Sequence, residues 1–227
     1  MSAKVRRCYV RSPEHLLYVM NTVFEHPEGN QIEYIYRSYL WLAYLGLTEQ
    51  EAAEVCVSDV DFDKRTVSDK QMYEDAMLDL RMACSLTELI ELKRNYVIAR
   101  AKGNKILRGK PTTKSLEEAL ATTYRQSVSK MFKRAEDALT ELGAHHPDLD
   151  SIQLSFKRVY LSGMFYRAHQ LELLRQPVDF DHIVEERYER DKGKFTHAEN
   201  KVNKSKYHMK LGYLEDYKAW KRAFGLQ

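Results

Sequence analysis

Tyr39-Leu40-Trp41-Leu42-Ala43-Tyr44-Leu45-Gly46-Leu47, running straight on into Thr48-Glu49-Gln50-Glu51-Ala52-Ala53-Glu54-Val55, decides how this chain is read. With Ile32 and Ile35 ahead of it, the first half is apolar nearly all round. A helix over 31–45 therefore has no solvent face and belongs at the centre of a core. Gly46 ends it. Thr48, with Glu51 three residues on, forms a capping box that opens a short third helix.

Upstream, Ser12-Pro13 is an N-cap with proline at the first helical position. Leu16, Leu17, Met20, Val23 and Phe24 then recur at helical spacing until His26-Pro27-Glu28-Gly29-Asn30 breaks the run. Downstream, Val57-Ser58-Asp59-Val60-Asp61-Phe62 alternates as a strand does, and Asp63-Lys64-Arg65 turns it into a second strand at Thr66-Val67. Helix is predicted over 73–92, 115–142 and 151–175, and a shorter one capped by Asp179 or Asp181 through Tyr188. Tyr96 to Leu107 is a hairpin or an extended loop, and the Lys-rich 191–206 stretch is expected to be a mobile loop. An amphipathic helix carrying Leu211, Leu214, Tyr217, Trp220 and Phe224 ends at Gly225. The sum is a mainly α domain with a small antiparallel β-sheet.

At 227 residues and 44% hydrophobic, the chain can bury a core without disulfides or metals. The expected division is a domain over 1–187 followed by a basic loop and C-terminal helix over 188–227. No apolar stretch approaches the roughly 20 residues that span a bilayer, so no membrane is expected. Three cysteines, odd in number and far apart, suit a reducing cytoplasm. Net charge is only +3, yet it is segregated. Glu49 to Glu91 is acidic, whereas Lys93 to Lys110 holds Arg100, Lys102, Lys105, Arg108 and Lys110 without a single acid. That is the footprint of a phosphate-binding surface or, on the blander reading, solvated charge. His145-His146 lacks the further ligands of a zinc site. No glycine-rich phosphate loop or Ser-His-Asp set stands in a recognisable context. Neither metal nor cofactor is expected.

Two stretches carry a resemblance. Leu45-Gly46-Leu47, the short acidic helix after it and Ser58-Asp59-Val60-Asp61-Phe62 resemble one signature of the tyrosine recombinases, the phage-integrase family. Leu154-Ser155-Phe156-Lys157-Arg158-Val159-Tyr160-Leu161-Ser162-Gly163 resembles the second, in which His and Arg stand three apart at the start of a buried helix. The likeness covers roughly 12–187. It implies the fold of a DNA breaking-rejoining catalytic domain and double-stranded DNA as partner, in a bacterial or phage-infected cytoplasm.

The family cuts DNA by attack of a tyrosine hydroxyl on a phosphodiester. Two arginines, with histidine, lysine and a second histidine or tryptophan, donate to the phosphate oxygens or move protons. Against that pattern this chain is depleted. Thr48 stands at the first arginine's position and Ser155 at the histidine's, while Arg158 retains the second arginine. Lys64 and Lys70 are nominal candidates for the lysine, whose hairpin looks shortened. No tyrosine falls at the nucleophile's place, leaving Tyr188, Tyr207, Tyr213 and Tyr217 as displaced candidates. Losing one such donor typically costs about 10²–10³ in rate, so strand exchange is not expected.

The resemblance thus implies an impaired, recombinase-like DNA binder. Arg158, Lys157 and the 100–110 basic run would meet the backbone from one side, with salt-sensitive affinity. Arg158 has a rival reading as a relic paired with a buried carboxylate. Two alternatives stand beside the main one: an active recombinase with a displaced tyrosine, and a helical interaction module. In the latter the C-terminal helix docks onto itself or another recombinase.

Overall fold

The computed structural model describes residues 8–24, 33–86, 125–146, 149, 152–181, 183–185 and 199–226. They fall into two compact units, one of Cys8–Met164 and one whose described part lies within Phe165–Gln227. The expected boundary after residue 187 lies outside the described residues, as does the whole 87–124 stretch with its possible hairpin. Among the described residues the protein is mainly helical with one small antiparallel sheet. No described helix is long and apolar enough to cross a membrane.

In the Cys8–Met164 unit, α1 (Pro13–Val23) starts as its sequence dictates. Ser12 accepts a hydrogen bond from the His15 N–H through its side chain, and Pro13 occupies the first turn. Helix α2 (Glu33–Leu45) is the centre of the unit, and every residue from Tyr36 to Leu45 is buried. Gly46, at φ 100°, adopts the left-handed conformation that lets the chain leave the helix. Helix α3 (Glu49–Glu54) opens with the reciprocal cap: Glu51 N–H donates to Thr48 Oγ1 at 3.2 Å, and Thr48 N–H to Glu51 Oε2 at 2.7 Å.

The alternating 57–62 stretch is not one strand. Val57–Asp59 is a turn of 3-10 helix, because the Asp59 carboxylate reaches back to the Cys56 N–H at 2.8 Å and tightens the chain locally. Only Val60–Asp61 remains as β1, pairing antiparallel with β2 (Thr66–Val67). A third strand, β3 (Lys70–Gln71), which the sequence had not suggested, pairs with β2 through the two-residue turn Ser68-Asp69. Both turn residues have positive φ, 44° and 63°, the geometry whose twist matches a hairpin. Helix α4 follows, described over 74–86, and α5 (Arg125–Gly143) packs against α1.

Helix α6 (Phe156–Leu173) starts five residues later than its expected first position and is buried at every residue from Leu161 to Phe165. The division between the units falls inside it. In the second unit, α7 (Glu199–Ala223) extends back over part of the stretch expected to be a loop. A polar, Lys-rich segment shows no apolar period, but Glu199 and the lysines Lys201, Lys204 and Lys206 favour helix and extend the amphipathic helix after it.

Two contacts fix how the helices of the first unit meet. Gly163 of α6 lies so close to α2 that a Cβ there would stand 1.9 Å from the Tyr44 carbonyl oxygen. Seven residues earlier, Phe156 packs on Tyr39 with ring centroids 4.7 Å apart. Both contacts advance in the same direction along the chain, so α2 and α6 lie side by side with the same polarity. Beneath α2, the buried Asp79 of α4 accepts from Arg37 Nε on one carboxylate oxygen and from Trp41 Nε1 on the other, each at 2.8 Å. Its backbone carbonyl takes the Ser38 hydroxyl, and the Arg37 fork reaches Asn21 Oδ1 of α1 at 2.7 Å.

Two outcomes follow from these contacts. Gly163→Ala forces a methyl into backbone rather than into a yielding side chain, so its cost should reach or exceed the top of the ~1–3 kcal/mol range of overpacked cores. Urea unfolding of the full chain checks this. Asp79→Ala strands a buried guanidinium and should lower stability by about 3–5 kcal/mol on the same measurement.

Candidate functional site

The residues of the second motif stand at the start of α6. Arg158 and Ser155 share its first turn, and Ser155 Oγ accepts from the Arg158 N–H at 3.4 Å, a long cap. The serine at the expected imidazole position is thus used as a helix cap. Lys157 is exposed beside them.

Arg158 is half-buried, and its guanidinium meets a residue that sequence reasoning missed. Nη1 donates to the Tyr9 hydroxyl at 2.7 Å, and the guanidinium carbon lies 5.2 Å from the Tyr9 ring centroid. The next residue continues the contact. Val10 N–H donates to Ser162 Oγ at 3.0 Å, and that hydroxyl donates to the Arg158 carbonyl at 2.8 Å. Tyr9, Val10 and Ser162 are all buried. Tyr9 and Val10 therefore form a strap along one face of α6, and the chain then turns to α1, where the Arg11 N–H donates to His15 Nδ1 at 3.0 Å. Among the described residues no carboxylate pairs with Arg158, so the rival reading of a relic ion pair finds no partner there. No periodicity announces a contact across 149 residues of chain.

Thr48, at the first arginine's position, spends its hydroxyl on the α3 cap. Lys64 lies on the β1–β2 turn, paired with Asp61 at 3.0 Å. The backbone N–H of Lys64, then its side chain, hold the Asp61 carboxyl below its ordinary 3.8. Lys70 opens β3, on the short β2–β3 hairpin. The basic residues Arg100, Lys102, Lys105, Arg108 and Lys110 lie outside the described residues, as does Tyr188.

Of the other candidate nucleophiles, Tyr207 is 60% exposed, whereas Tyr213 and Tyr217 are buried. In the second unit Tyr217 and Trp220 pack with Phe165, and Tyr217 also meets Phe180. Of the apolar face offered for docking, Tyr217 and Trp220 are buried within their own unit, whereas Leu214 is half-buried. Burial first, then the neighbouring Glu172 carboxylate, raise the Tyr217 phenol well above its ordinary value. Such a phenol holds its proton and is a poor nucleophile at neutral pH.

Glu172 is the polar centre of that unit. Lys221 Nζ lies 2.7 Å from Oε2. His169 Nδ1, at 3.6 Å, stops short of a hydrogen bond, and the buried Tyr217 Oη approaches without closing one of acceptable geometry. Partial burial pushes the Glu172 carboxyl up. Lys221, through hydrogen bond and charge, together with Tyr217 and His169, outweighs it and holds the group below its ordinary 4.5. Among the described residues no three His, Cys, Asp or Glu side chains are grouped as metal ligands.

Compared with known proteins, the chain matches no protein-family model, no curated protein and no solved structure.

The Glu172 shift has a pH signature. A carboxyl with a depressed folded pKa stabilises above its unfolded pKa, and that contribution disappears as pH falls through the folded value. The wild type should lose stability below pH 4.5, the ordinary value for this group. Glu172→Gln should flatten that part of the curve, as read from denaturant midpoints across an acid pH series.

Proposed function

We propose that the chain is a DNA-binding protein built on a tyrosine-recombinase-like catalytic domain, with Arg158 as a phosphate contact and without strand-exchange activity. One observation carries the reading. Arg158 is a half-buried guanidinium held by a neutral phenol, with no carboxylate among the described residues to cancel its charge. A positive charge fixed by an uncharged partner remains available to an anion, and a planar guanidinium matches phosphate oxygens in pairs. Lys157, exposed on the same turn, adds a second cation.

The contact between α2 and α6 at Gly163 and Tyr44 supports the kinship, since each helix carries one of the two motifs. Loss of catalysis is supported by the uses found for the substituted groups. Thr48 and Ser155 both serve helix ends, and neither has an imidazole or guanidinium to offer. Duplex DNA, bound through its backbone, is the partner this reading implies.

Fluorescence anisotropy of a labelled duplex across a salt series tests it, using wild type, Arg158→Ala and Tyr9→Phe. Wild-type log K should fall linearly with log salt, and Arg158→Ala should bind more weakly with a slope shallower by about 0.9. Tyr9→Phe, which removes the hydroxyl and leaves the charge, should keep the wild-type slope. Equal affinity and slope in Arg158→Ala would remove the proposed contact.

A further inference from the structure

The second unit contains a cleft of about 720 Å³ that the DNA reading does not use. Its volume lies in the range of small-molecule sites. The apolar part is formed by Val178 and Phe180, which follow α6, and by Leu214 and Tyr217 of α7. The unit packs around it: the Phe180 and Tyr217 rings are 5.6 Å apart, and Tyr217 stacks on the wholly buried Trp220 at 5.9 Å. Rigid aromatic walls of this kind offer a large contact area with little conformational entropy to lose.

The charges around it are unequal. Glu172 and Lys221, both lining the cleft, neutralise each other at 2.7 Å. Lys218 and Arg222, one turn apart on α7, line it too and are exposed. Neither has a carboxylate partner among the described residues. Arg222 uses only Nε, donating to the Lys218 carbonyl at 3.2 Å, and both terminal nitrogens of its fork are left for another acceptor. The Tyr217 hydroxyl is buried beside Glu172, so the ring and not the hydroxyl is what Tyr217 offers the cleft.

An apolar wall beside two uncompensated cations selects one chemistry. A neutral apolar molecule leaves the cations unused, and a small inorganic anion leaves the wall wet. We propose that this cleft binds an apolar organic anion, with its ring or chain on Phe180, Leu214 and Tyr217 and its carboxylate or sulfonate met by Lys218 and Arg222. Its lining shares no residue with the Arg158 site.

Two probes that differ by one sulfonate group test the proposal on the full chain: 8-anilinonaphthalene-1-sulfonate and its neutral parent, N-phenyl-1-naphthylamine. The sulfonate should bind saturably at one site per chain and at least about tenfold tighter than the neutral parent, and decanoate should displace it. The double variant Lys218→Glu with Arg222→Glu alters exposed positions only and should abolish the preference. Val178→Trp, which fills the cleft while leaving both cations, should lose both probes with its circular dichroism unchanged, and decides the matter if the charge reversal fails to fold. The proposal is overturned by unsaturable or absent binding, by equal affinity for the two probes, or by wild-type sulfonate binding in either folded variant.

Discussion

The helix pair at the heart of the first unit depends on the absence of one side chain. Gly163 lets α6 approach α2 until the space for a Cβ is occupied by the Tyr44 carbonyl. Tyr39 and Phe156 meet as rings because the backbones beside them are close, and the all-round burial of Tyr36 to Leu45 needs a partner this near on one side. Close-packed interiors transmit such a demand rather than absorb it.

The opposite problem, a charge where apolar packing would be expected, is solved at Asp79. Both of its oxygens are committed, to Arg37 and to Trp41, and its carbonyl takes Ser38, so α2 and α4 are joined by directional bonds. A buried ion pair of this kind adds little net stability over an apolar substitute, but each partner depends heavily on the other. Its directionality fixes the rotation of α2 about its axis, which apolar contacts alone leave loose.

Much of this was legible in the chain because its causes are local. The Ser12-Pro13 start, the Thr48–Glu51 box and the Gly46 stop each lie within one turn of the residues they control, and all stand where the sequence puts them. Reading failed where a local rival or a distant partner decided the outcome. The alternation at 57–62 lost to one carboxylate bonding three residues back. The β3 strand is two residues long, too short to show a period. Arg37 and Asp79 are 42 residues apart, and nothing in either neighbourhood announces the other. For the candidate site, the shared turn of Ser155 and Arg158 follows from their spacing, but Tyr9 as the partner of Arg158 does not.

Biosynthesis gives the Tyr9–Val10 strap a further meaning. Its partners Arg158 and Ser162 lie 149 and 152 residues downstream, so the strap emerges from the ribosome long before the helix face it covers exists. At translation rates of about 5–20 residues per second, the interval lasts many seconds. Closing so long a loop carries an entropy cost that only completed packing offsets. Docking of the strap therefore cannot precede synthesis of α6, and until then Tyr9 and Val10 are without the partners they hold in the folded unit.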